Sequence, residues 1–355
     1  MSIRVCIIGC GNISNTRHIP AAEKLRDVRI AGLISDQRDK MERTLRRHKK
    51  LRNIANAIVN AKSDYYTELC RLEWFVNEID AVIVGTPPMQ HYPVVKACLR
   101  MRKHVLVEKP MMLNADECSE CAELAKTNKL VLNVMHSFQF SNGMIELKRR
   151  FDDGELGALK SILELQLTNR DRRLPVWYNE LPLGLFFDEA AHFFYSANKF
   201  GGHLSVKDAS AVFNGNDNTP RFLQAQMTAG DIPVQMCMNF NSPICEWGIL
   251  LLCEKKIAIY DYFKDILIVL ENDGQHLAKN VLKNSLSFFL QFWRGFIRNG
   301  FLMVTGNLLY GHDECIKEFA KAAKTGQCLY ELSPELGLEV TGAMNEVAKL
   351  AKKCL

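Results

Sequence analysis

The sequence predicts an α/β protein with an N-terminal doubly wound parallel sheet and a second α/β domain whose sheet is large, open and mostly antiparallel. The chain has 355 residues, which is too long for one ordinary hydrophobic core. Apolar strands alternate with helical segments in the first half, which is typical of βαβ units. From about residue 158 the apolar side chains instead recur at every second position, which is typical of half-buried strands.

The βαβ reading of the first half follows from four apolar runs. Each predicted strand ends near glycine, proline or a charged residue, and a helical segment follows it. Residues 37–79 are longer than one helix and its connection need, so we expect an inserted or extended helix there. Its basic run at 43–52 is expected to be a solvated helix face, with an anion or an acidic partner as the alternative. The clearest predicted strands are 3–11, 29–35, 80–88 and 104–107, and a helix is predicted for 115–127.

The period-two segments of the second half predict the other sheet. Leu163 and Leu165 share one face, and such an open face could pair two subunits. We expect a dinucleotide-binding domain at 1–135, a substrate and oligomerisation domain at 136–311, and C-terminal helices at 312–355 that pack back towards the first domain. Within the last region, helices are predicted at 313–325 and 334–353.

Composition excludes several classes of protein. The 48% hydrophobic and 24% charged residues are ordinary for a globular chain, and the net charge of +5 does not call for a nucleic-acid partner. The 12 cysteines form no disulfide or zinc framework, and the N terminus enters a strand directly. We therefore expect a cytoplasmic protein with reduced thiols, no signal peptide and no metal.

One segment requires comparison with a membrane span. Residues 285–311 are strongly apolar, but Arg294 and Arg298 interrupt them. A spanning helix needs about 20 apolar residues with few charges. We expect a buried or docking segment and no integral membrane span, and an interfacial helix is the alternative.

A glycine-rich turn joins the first strand to the first helix. It reads G-x-G-x-x-S from Gly9 to Ser14, in the strand-to-helix context that a dinucleotide-binding fingerprint requires. Gly9 permits the tight turn, and Gly11 lets the backbone approach a pyrophosphate. Asp36 closes the second strand, where a carboxylate accepts from a ribose hydroxyl and repels a 2′-phosphate. This favours NAD over NADP, although Arg38 could accommodate the phosphate. A plain strand–turn–helix is the alternative.

Three further residues have the chemistry of a catalytic site. Lys109 ends the fourth clear strand, and ligands of open α/β sheets bind beyond the carboxyl ends of strands. Pro110 restricts Lys109 to extended backbone and permits a cis bond. Asp188 and His192 are four residues apart, so on a helix they share a face, here among phenylalanines. A satisfied buried Asp–His pair is the alternative.

These motifs, taken in order, resemble the glucose–fructose oxidoreductase and inositol dehydrogenase (Gfo/Idh/MocA) family over nearly the whole chain. They are "GCGNIS", "VIVGTPPMQHYPVV", "HVLVEKPM", "DDGELGALKSI" and the pair Asp188 and His192. The resemblance implies an N-terminal Rossmann domain, a C-terminal α/β domain with a large open sheet, and homo-dimers or homo-tetramers. It also implies NAD(P)-dependent oxidation or reduction of a sugar or cyclitol carbon.

The same resemblance implies roles for individual residues. His192 would be the general base for a substrate hydroxyl, and Lys109 would hydrogen-bond the reacting oxygen. Asp188 would orient the substrate or tune the other two, and Glu108 would lie at the cofactor edge. The implied cofactor-binding residues are Gly9, Gly11, Asn12, Ile13, Asp36, Thr86, Pro87, His91, Glu108 and Lys109.

Three positions depart from the family pattern. Ser14 replaces the third glycine, Ala190 stands where the family often has glycine between the acid and the histidine, and "HSFQF" at 136–140 replaces a loop that often reads Asn-Arg-Arg-Phe.

The segment 169–182 bears on the substrate. Arginines there could clamp a phosphate or carboxylate, and aromatic rings could stack on a sugar or a base. We therefore expect a charged sugar, such as a sugar phosphate or a nucleotide-linked sugar, and a surface loop with salt bridges is the alternative. The residues concerned are Arg170, Arg172, Arg173, Trp177 and Tyr178.

A second class of function fits the same fold, namely a non-catalytic sensor or regulator that binds NAD(P). Such a protein could dispense with Lys109, Asp188 or His192, and this chain has all three. Their presence favours the enzyme.

Overall fold

Two sheets organise the chain, one in each of its two units. The computed structural model describes residues 2–170, 176–275 and 277–352. The first unit holds the described residues up to Ser137 together with Gly311–Gly342. The second unit holds Phe138–Tyr310 and the described residues from Ala343.

The strands and helices of the described residues are numbered in chain order. The strands are β1 Ile3–Ile8, β2 Val28–Ser35, β3 Ala55–Ile58, β4 Ala81–Val84, β5 His104–Val107, β6 Leu132–Val134, β7 Leu159–Leu167, β8 Leu204–Val212, β9 Phe222–Ala229, β10 Ile232–Asn239, β11 Glu246–Cys253, β12 Lys256–Asp261 and β13 Ile266–Glu271. The helices are α1 Ile19–Ala22, α2 Arg38–Arg47, α3 Tyr65–Cys70, α4 Glu73–Glu78, α5 His91–Arg100, α6 Ala115–Thr127, α7 Asn142–Asp152, α8 Leu185–Glu189, α9 Ala191–Gly201, α10 Ala278–Val304, α11 His312–Thr325 and α12 Pro334–Lys352. A π-helical turn, Ser14–His18, leads into α1.

The sheet of the first unit is parallel and doubly wound, as predicted. Its strand order is β3-β2-β1-β4-β5-β6, so the chain reverses its direction of winding between β1 and β4. Every residue of β4 and β6 is buried, which is expected of parallel strands covered on both faces. Asn114 caps α6, because its side chain accepts the Glu117 N–H at 2.9 Å.

The segment 37–79 differs from the expected single helix. It contains α2, β3, α3 and α4. The run "ANAI" of β3 has weak strand propensity, and pairing with β2 makes it a strand. Lys109 therefore follows the fifth strand of this sheet, β5, and not the fourth.

The sheet of the second unit is mostly antiparallel, also as predicted. Its order is β13-β12-β11-β7-β10-β9-β8, with β7 and β10 parallel. Helices α7, α8 and α9 pack on one face, where Glu164 and Gln166 of β7 are buried. Leu163 and Leu165 point to the other face and are 44% and 45% exposed, because successive side chains of a strand alternate between faces.

The C-terminal helices α11 and α12 lie where they were predicted, whereas the apolar segment 285–311 is not buried. It forms most of α10, and most of its large apolar side chains are exposed. Among the described residues, no helix combines the length and the hydropathy needed to cross a membrane.

Candidate active site

The carboxyl ends of β1 and β4 form the candidate cofactor site of the first unit. Because the strand order reverses between these two strands, a crevice is expected beyond their ends. Gly9 follows β1, and Gly85 and Thr86 follow β4. The predicted glycine turn thus lies at the topological switch point of the sheet.

The space available to a side chain differs between Gly9 and Gly11. Gly9 has φ +103°, and a Cβ there would lie 2.6 Å from the carbonyl carbon and oxygen of Gly85. A Cβ on Gly11 would meet no atom closer than the Gly85 oxygen, at 4.0 Å. Packing within the protein therefore requires glycine at position 9 but not at 11. Open space at Gly11 fits a backbone that a pyrophosphate approaches, so these residues suit a dinucleotide.

Ser14 is accommodated by a glycine elsewhere. Its hydroxyl is buried and lies 3.3 Å from Nδ1 of His18. A Cβ on Gly85 would come within 2.7 Å of this hydroxyl and 3.0 Å of the His18 ring. The close contact of helix and strand is therefore made by Gly85, and the missing third glycine is compensated there.

A buried charged cluster stands beside Lys109. Glu108 Oε1 lies 2.7 Å from His18 Nε2 and 3.9 Å from His312 Nε2, and Glu108 Oε2 accepts the Lys109 N–H at 3.1 Å. Burial by itself would raise the pKa of Glu108, but the His18 hydrogen bond, with the charges of His18, His312 and Lys109, lowers this pKa to about 2. Glu108 is therefore an anion at the end of β5.

The same three side chains have the composition of a metal site. The ligand atoms of His18, Glu108 and His312 all lie within 4.8 Å of one another. The His18–Glu108 hydrogen bond already uses one ligand atom of each residue. This hydrogen bond explains the arrangement without a metal ion.

His91 joins the loop after β4 to the loop after β5. Its Nδ1 lies 2.9 Å from the Pro110 oxygen, and its Nε2 lies 3.0 Å from the Thr86 oxygen. Burial lowers the pKa of His91, and the two carbonyl oxygens oppose this shift. A neutral ring donates to one of the two carbonyls, so His91 positions both loops. The Lys109–Pro110 peptide is cis.

The other predicted cofactor residues lie at the same sheet edge. Asn12 and Ile13 begin the helix after the glycine turn, and Pro87 follows Thr86. Both carboxylate oxygens of Asp36 lie 3.2 Å from Nζ of Lys40. The charge expected to repel a 2′-phosphate is thus partly neutralised by a lysine.

Asp188 and His192 lie in the second unit, on two helical segments. Asp188 belongs to α8 and His192 to α9, whereas one helix was expected. The segments meet at Ala190, whose backbone is helical (φ −67°, ψ −27°), so this position does not require glycine. Asp188 is half-buried and His192 is buried.

Aromatic residues hold the His192 ring. Its Nδ1 lies 2.7 Å from the Tyr195 hydroxyl, which also accepts the Phe138 N–H at 3.2 Å. The Phe138 and Trp247 rings lie 4.8 and 5.6 Å from the His192 ring, measured between centroids. The Tyr195 hydrogen bond holds the His192 ring in one orientation.

Glu189 anchors the helix that carries Asp188. It is buried, and its Oε2 accepts hydrogen bonds from Gln166 Nε2 and from Thr168 Oγ1, the latter at 2.8 Å. These bonds join α8 to the end of β7. Sequence reasoning missed this residue, although an acid inside the apolar run "LFFDEAAHFF" was a signal for it.

Other residues of the site had weaker signals or none. Tyr195 lies one helical turn after His192, and His18 lies one turn after Ser14, so both could have been proposed from helical spacing. His312 is about two hundred residues from the Glu108 that it approaches, and no local pattern connects them.

The predicted substrate residues are only partly described. Arg170 forms an ion pair with Asp217 at 2.9 Å, as the salt-bridged alternative expects. Trp177 and Tyr178 are half-buried in a short 3₁₀ helix, Val176–Glu180. Arg172 and Arg173 lie outside the described residues.

Comparison with known proteins matches the N-terminal part of the chain to one family. Residues 3–136 match the GFO_IDH_MocA family, described as an oxidoreductase family with an NAD-binding Rossmann fold. The oxidoreductase P35 of Formosa agariphila is 27% identical over 194 residues, which is 52% of this chain and 56% of that protein. The chain thus spans about half the length of the curated relatives that it matches.

Two solved structures match nearly the whole fold. KijD10 from Actinomadura kijaniata, a 3-ketoreductase in complex with NADP and TDP-benzene, has a TM-score of 0.75 at 18% identity, covering 99% of this chain and 98% of that one. The UDP-N-acetylglucosamine 3-dehydrogenase GnnA from Acidithiobacillus ferrooxidans has a TM-score of 0.72 at 15% identity, covering 100% and 99%. At such identities the likeness establishes the fold.

Proposed function

We propose that the chain transfers hydride between a nicotinamide and a secondary alcohol or ketone carbon of a sugar or cyclitol, because its residues 3–136 match the Gfo/Idh/MocA oxidoreductase family. The observation that carries the proposal is the charged end of β5. There, buried Glu108 is hydrogen-bonded to His18, which lies on the helix after the glycine turn, and is followed by Lys109. A lysine at that edge is suited to a reacting oxygen.

The cofactor residues fit a nicotinamide dinucleotide. The turn at Gly9 and Gly11 would hold its pyrophosphate, and Asp36 would accept hydrogen bonds from its ribose. When bound, the nicotinamide accepts or donates a hydride. We propose NAD as the preferred cofactor, with the Asp36–Lys40 pair weakening discrimination against NADP.

The protein side of the reaction is proton transfer and charge stabilisation. In the oxidising direction, Nε2 of His192 takes the hydroxyl proton while the carbon loses its hydride, and the electron pair of the O–H bond forms the carbonyl. Tyr195 holds Nδ1 and thereby keeps the ring in one orientation. Lys109 donates to the oxygen as negative charge develops, and Asp188 orients the substrate. The reductive direction reverses these steps.

We propose a charged sugar as substrate, a sugar phosphate or a nucleotide-linked sugar. KijD10 and GnnA, by their names and bound ligands, act on or bind nucleotide-linked compounds. Arg170 supports this less than expected, because Asp217 already pairs with it.

The test follows the absorbance of reduced cofactor with NAD⁺ and NADP⁺ against sugars, cyclitols, sugar phosphates and nucleotide sugars. Activity with one class, lost in Lys109→Ala but kept in the exposed-surface control Lys126→Ala, would support the enzyme. Cofactor binding without turnover in the whole panel, unchanged in Lys109→Ala, would favour the non-catalytic sensor and contradict these roles.

We also propose that two copies pair through the open face of the seven-stranded sheet. Leu163 and Leu165 are exposed there in mid-sheet, where an oligomer interface would cover them. Light scattering should give a mass of at least two chains, and Leu163→Glu with Leu165→Glu should reduce it to one. A monomeric wild-type protein would contradict this pairing.

A further inference from the structure

Helix α10 packs against the edge strand β13 with its polar side. The Gln291 amide accepts the Val269 N–H and donates to the Val269 oxygen, both at 2.9 Å. Asn299 is buried and donates to the Asp265 oxygen at 2.9 Å. Gly295, between them on the same side of the helix, lies against β13. These amides satisfy backbone groups of an edge strand, which would otherwise be open to pairing.

The opposite side of α10 is apolar and exposed. Its exposed fractions range from 43% for Trp293 to 71% for Leu282. A surface helix normally turns such a stripe toward the core, so the orientation of α10 is inverted. Large apolar side chains exposed on successive turns of one helix face form a contiguous patch, and such patches mark interaction sites. This apolar face consists mainly of Leu282, Leu286, Phe289, Trp293, Phe296 and Ile297.

The charges of α10 have one sign. Residues 278–304 contain Lys279, Lys283, Arg294 and Arg298 and no acidic residue. Lys283 pairs with Glu271 at 2.6 Å, and Arg298 lies 3.8 Å from a carboxylate oxygen of Asp265. Lys279 and Arg294 form no ion pair within the described part of the chain. These two cations therefore flank the apolar face with their charge available to a partner.

This combination identifies the kind of partner. Helices that are apolar and aromatic on one face and cationic beside it lie in the interface of anionic bilayers. If a second copy of α10 packed on this face, the lysines and arginines of the two helices would lie near each other, and neither helix has an acidic residue to neutralise them. Arg294 and Arg298 also interrupt the apolar run, and α10 does not qualify as a membrane span. Its 27 residues would lie flat over about 40 Å.

We propose that α10 is a membrane-surface anchor. Its apolar face enters the boundary between headgroups and acyl chains of an anionic lipid bilayer, and Lys279 and Arg294 face the headgroup charges. The proposal goes beyond hydride transfer and does not depend on it.

Vesicle flotation of the full chain tests the proposal. The probes are phosphatidylcholine vesicles with and without about 30 mol% phosphatidylglycerol, at about 0.1 and about 0.5 M salt. We expect flotation with the anionic vesicles, weakened by salt. Phe289→Ser with Trp293→Ser should reduce it at least about tenfold, and Lys279→Gln with Arg294→Gln about fivefold per cation.

The matched control is Ile58→Ser with Val76→Ser, which alters two exposed apolar side chains of the first unit, outside α10 and the open sheet face. It should float like the wild type. Circular dichroism and cofactor binding establish that each variant is folded. Absence of wild-type flotation, or flotation unchanged in Phe289→Ser/Trp293→Ser, would overturn the proposal. A dimer that these two substitutions dissociate, without any flotation, would assign the face to a second copy and overturn it equally.

Discussion

Replacing Glu164 by glutamine should make the folded protein less sensitive to alkaline pH. Glu164 lies on β7 opposite Met236 and Ile249 of the neighbouring strands. Its carboxylate oxygens are buried, and neither has a hydrogen-bond partner among the described residues. Burial raises the pKa of Glu164 well above its ordinary 4.5. The folded protein therefore keeps this side chain protonated to a higher pH than the unfolded chain does.

The size of the effect follows from proton linkage. Above pH 4.5 the unfolded chain loses the Glu164 proton while the folded chain retains it, so the folded state binds one proton more. Its free energy of unfolding then falls by about 1.4 kcal/mol per pH unit until the folded pKa is reached. Between about pH 5.5 and about pH 7.5 this loss can reach at most about 2.7 kcal/mol. Glutamine has nearly the same size and does not ionise, so this loss is absent from Glu164→Gln.

Urea unfolding followed by circular dichroism measures the difference at both pH values. The difference in free energy of unfolding between Glu164→Gln and wild type should move in favour of the variant as pH rises, by up to about 2.7 kcal/mol. Glu254→Gln, at an exposed position after β11, is the control and should track the wild type. Parallel pH dependence of wild type and Glu164→Gln would refute the reasoning and would show that Glu164 ionises in the folded protein.

Four further substitutions probe the first unit. Gly9→Ala should lower the free energy of unfolding by at least about 2 kcal/mol in thermal melts, because its Cβ would collide with Gly85 at 2.6 Å. Gly11→Ala should melt like wild type but bind dinucleotide at least about tenfold more weakly. Equal affinity in Gly11→Ala would contradict the pyrophosphate site. Glu108→Gln should lower the free energy of unfolding by about 3 kcal/mol at pH 7. A carboxylate with a folded pKa of about 2 stabilises the folded state above pH 4.5 and loses that contribution as pH falls toward 2. Equal destabilisation at pH 7 and near pH 2 would exclude this mechanism. Asp36→Ala should raise the ratio of NADP to NAD affinity about tenfold in fluorescence titrations, and an unchanged ratio would remove Asp36 from cofactor discrimination.

Much of the first unit could be predicted because its signals are local. Strands β1, β2, β4 and β5 are continuous apolar runs, and the glycine turn follows β1 directly. The Asn114 cap depends on a hydrogen bond that spans three residues. Strand β3 was missed because its four residues have little strand propensity and become a strand only beside β2.

The sequence by itself determined the fold class and the position of Lys109 at a strand end, since apolar runs and the period-two pattern show where strands lie. For Asp188 and His192 it predicted one helix, whereas the structure places them on α8 and α9. The tertiary structure decided which residues from distant parts of the chain contact these elements. His18 meets Glu108 across 90 residues of chain, and Glu189 meets Gln166 across 23. It also decided the orientation of α10. The sequence shows that this helix has an apolar face, but it does not show which face packs against a neighbouring strand. At β13 the unpaired backbone of an edge strand binds the amides of α10, and this leaves its apolar face outward.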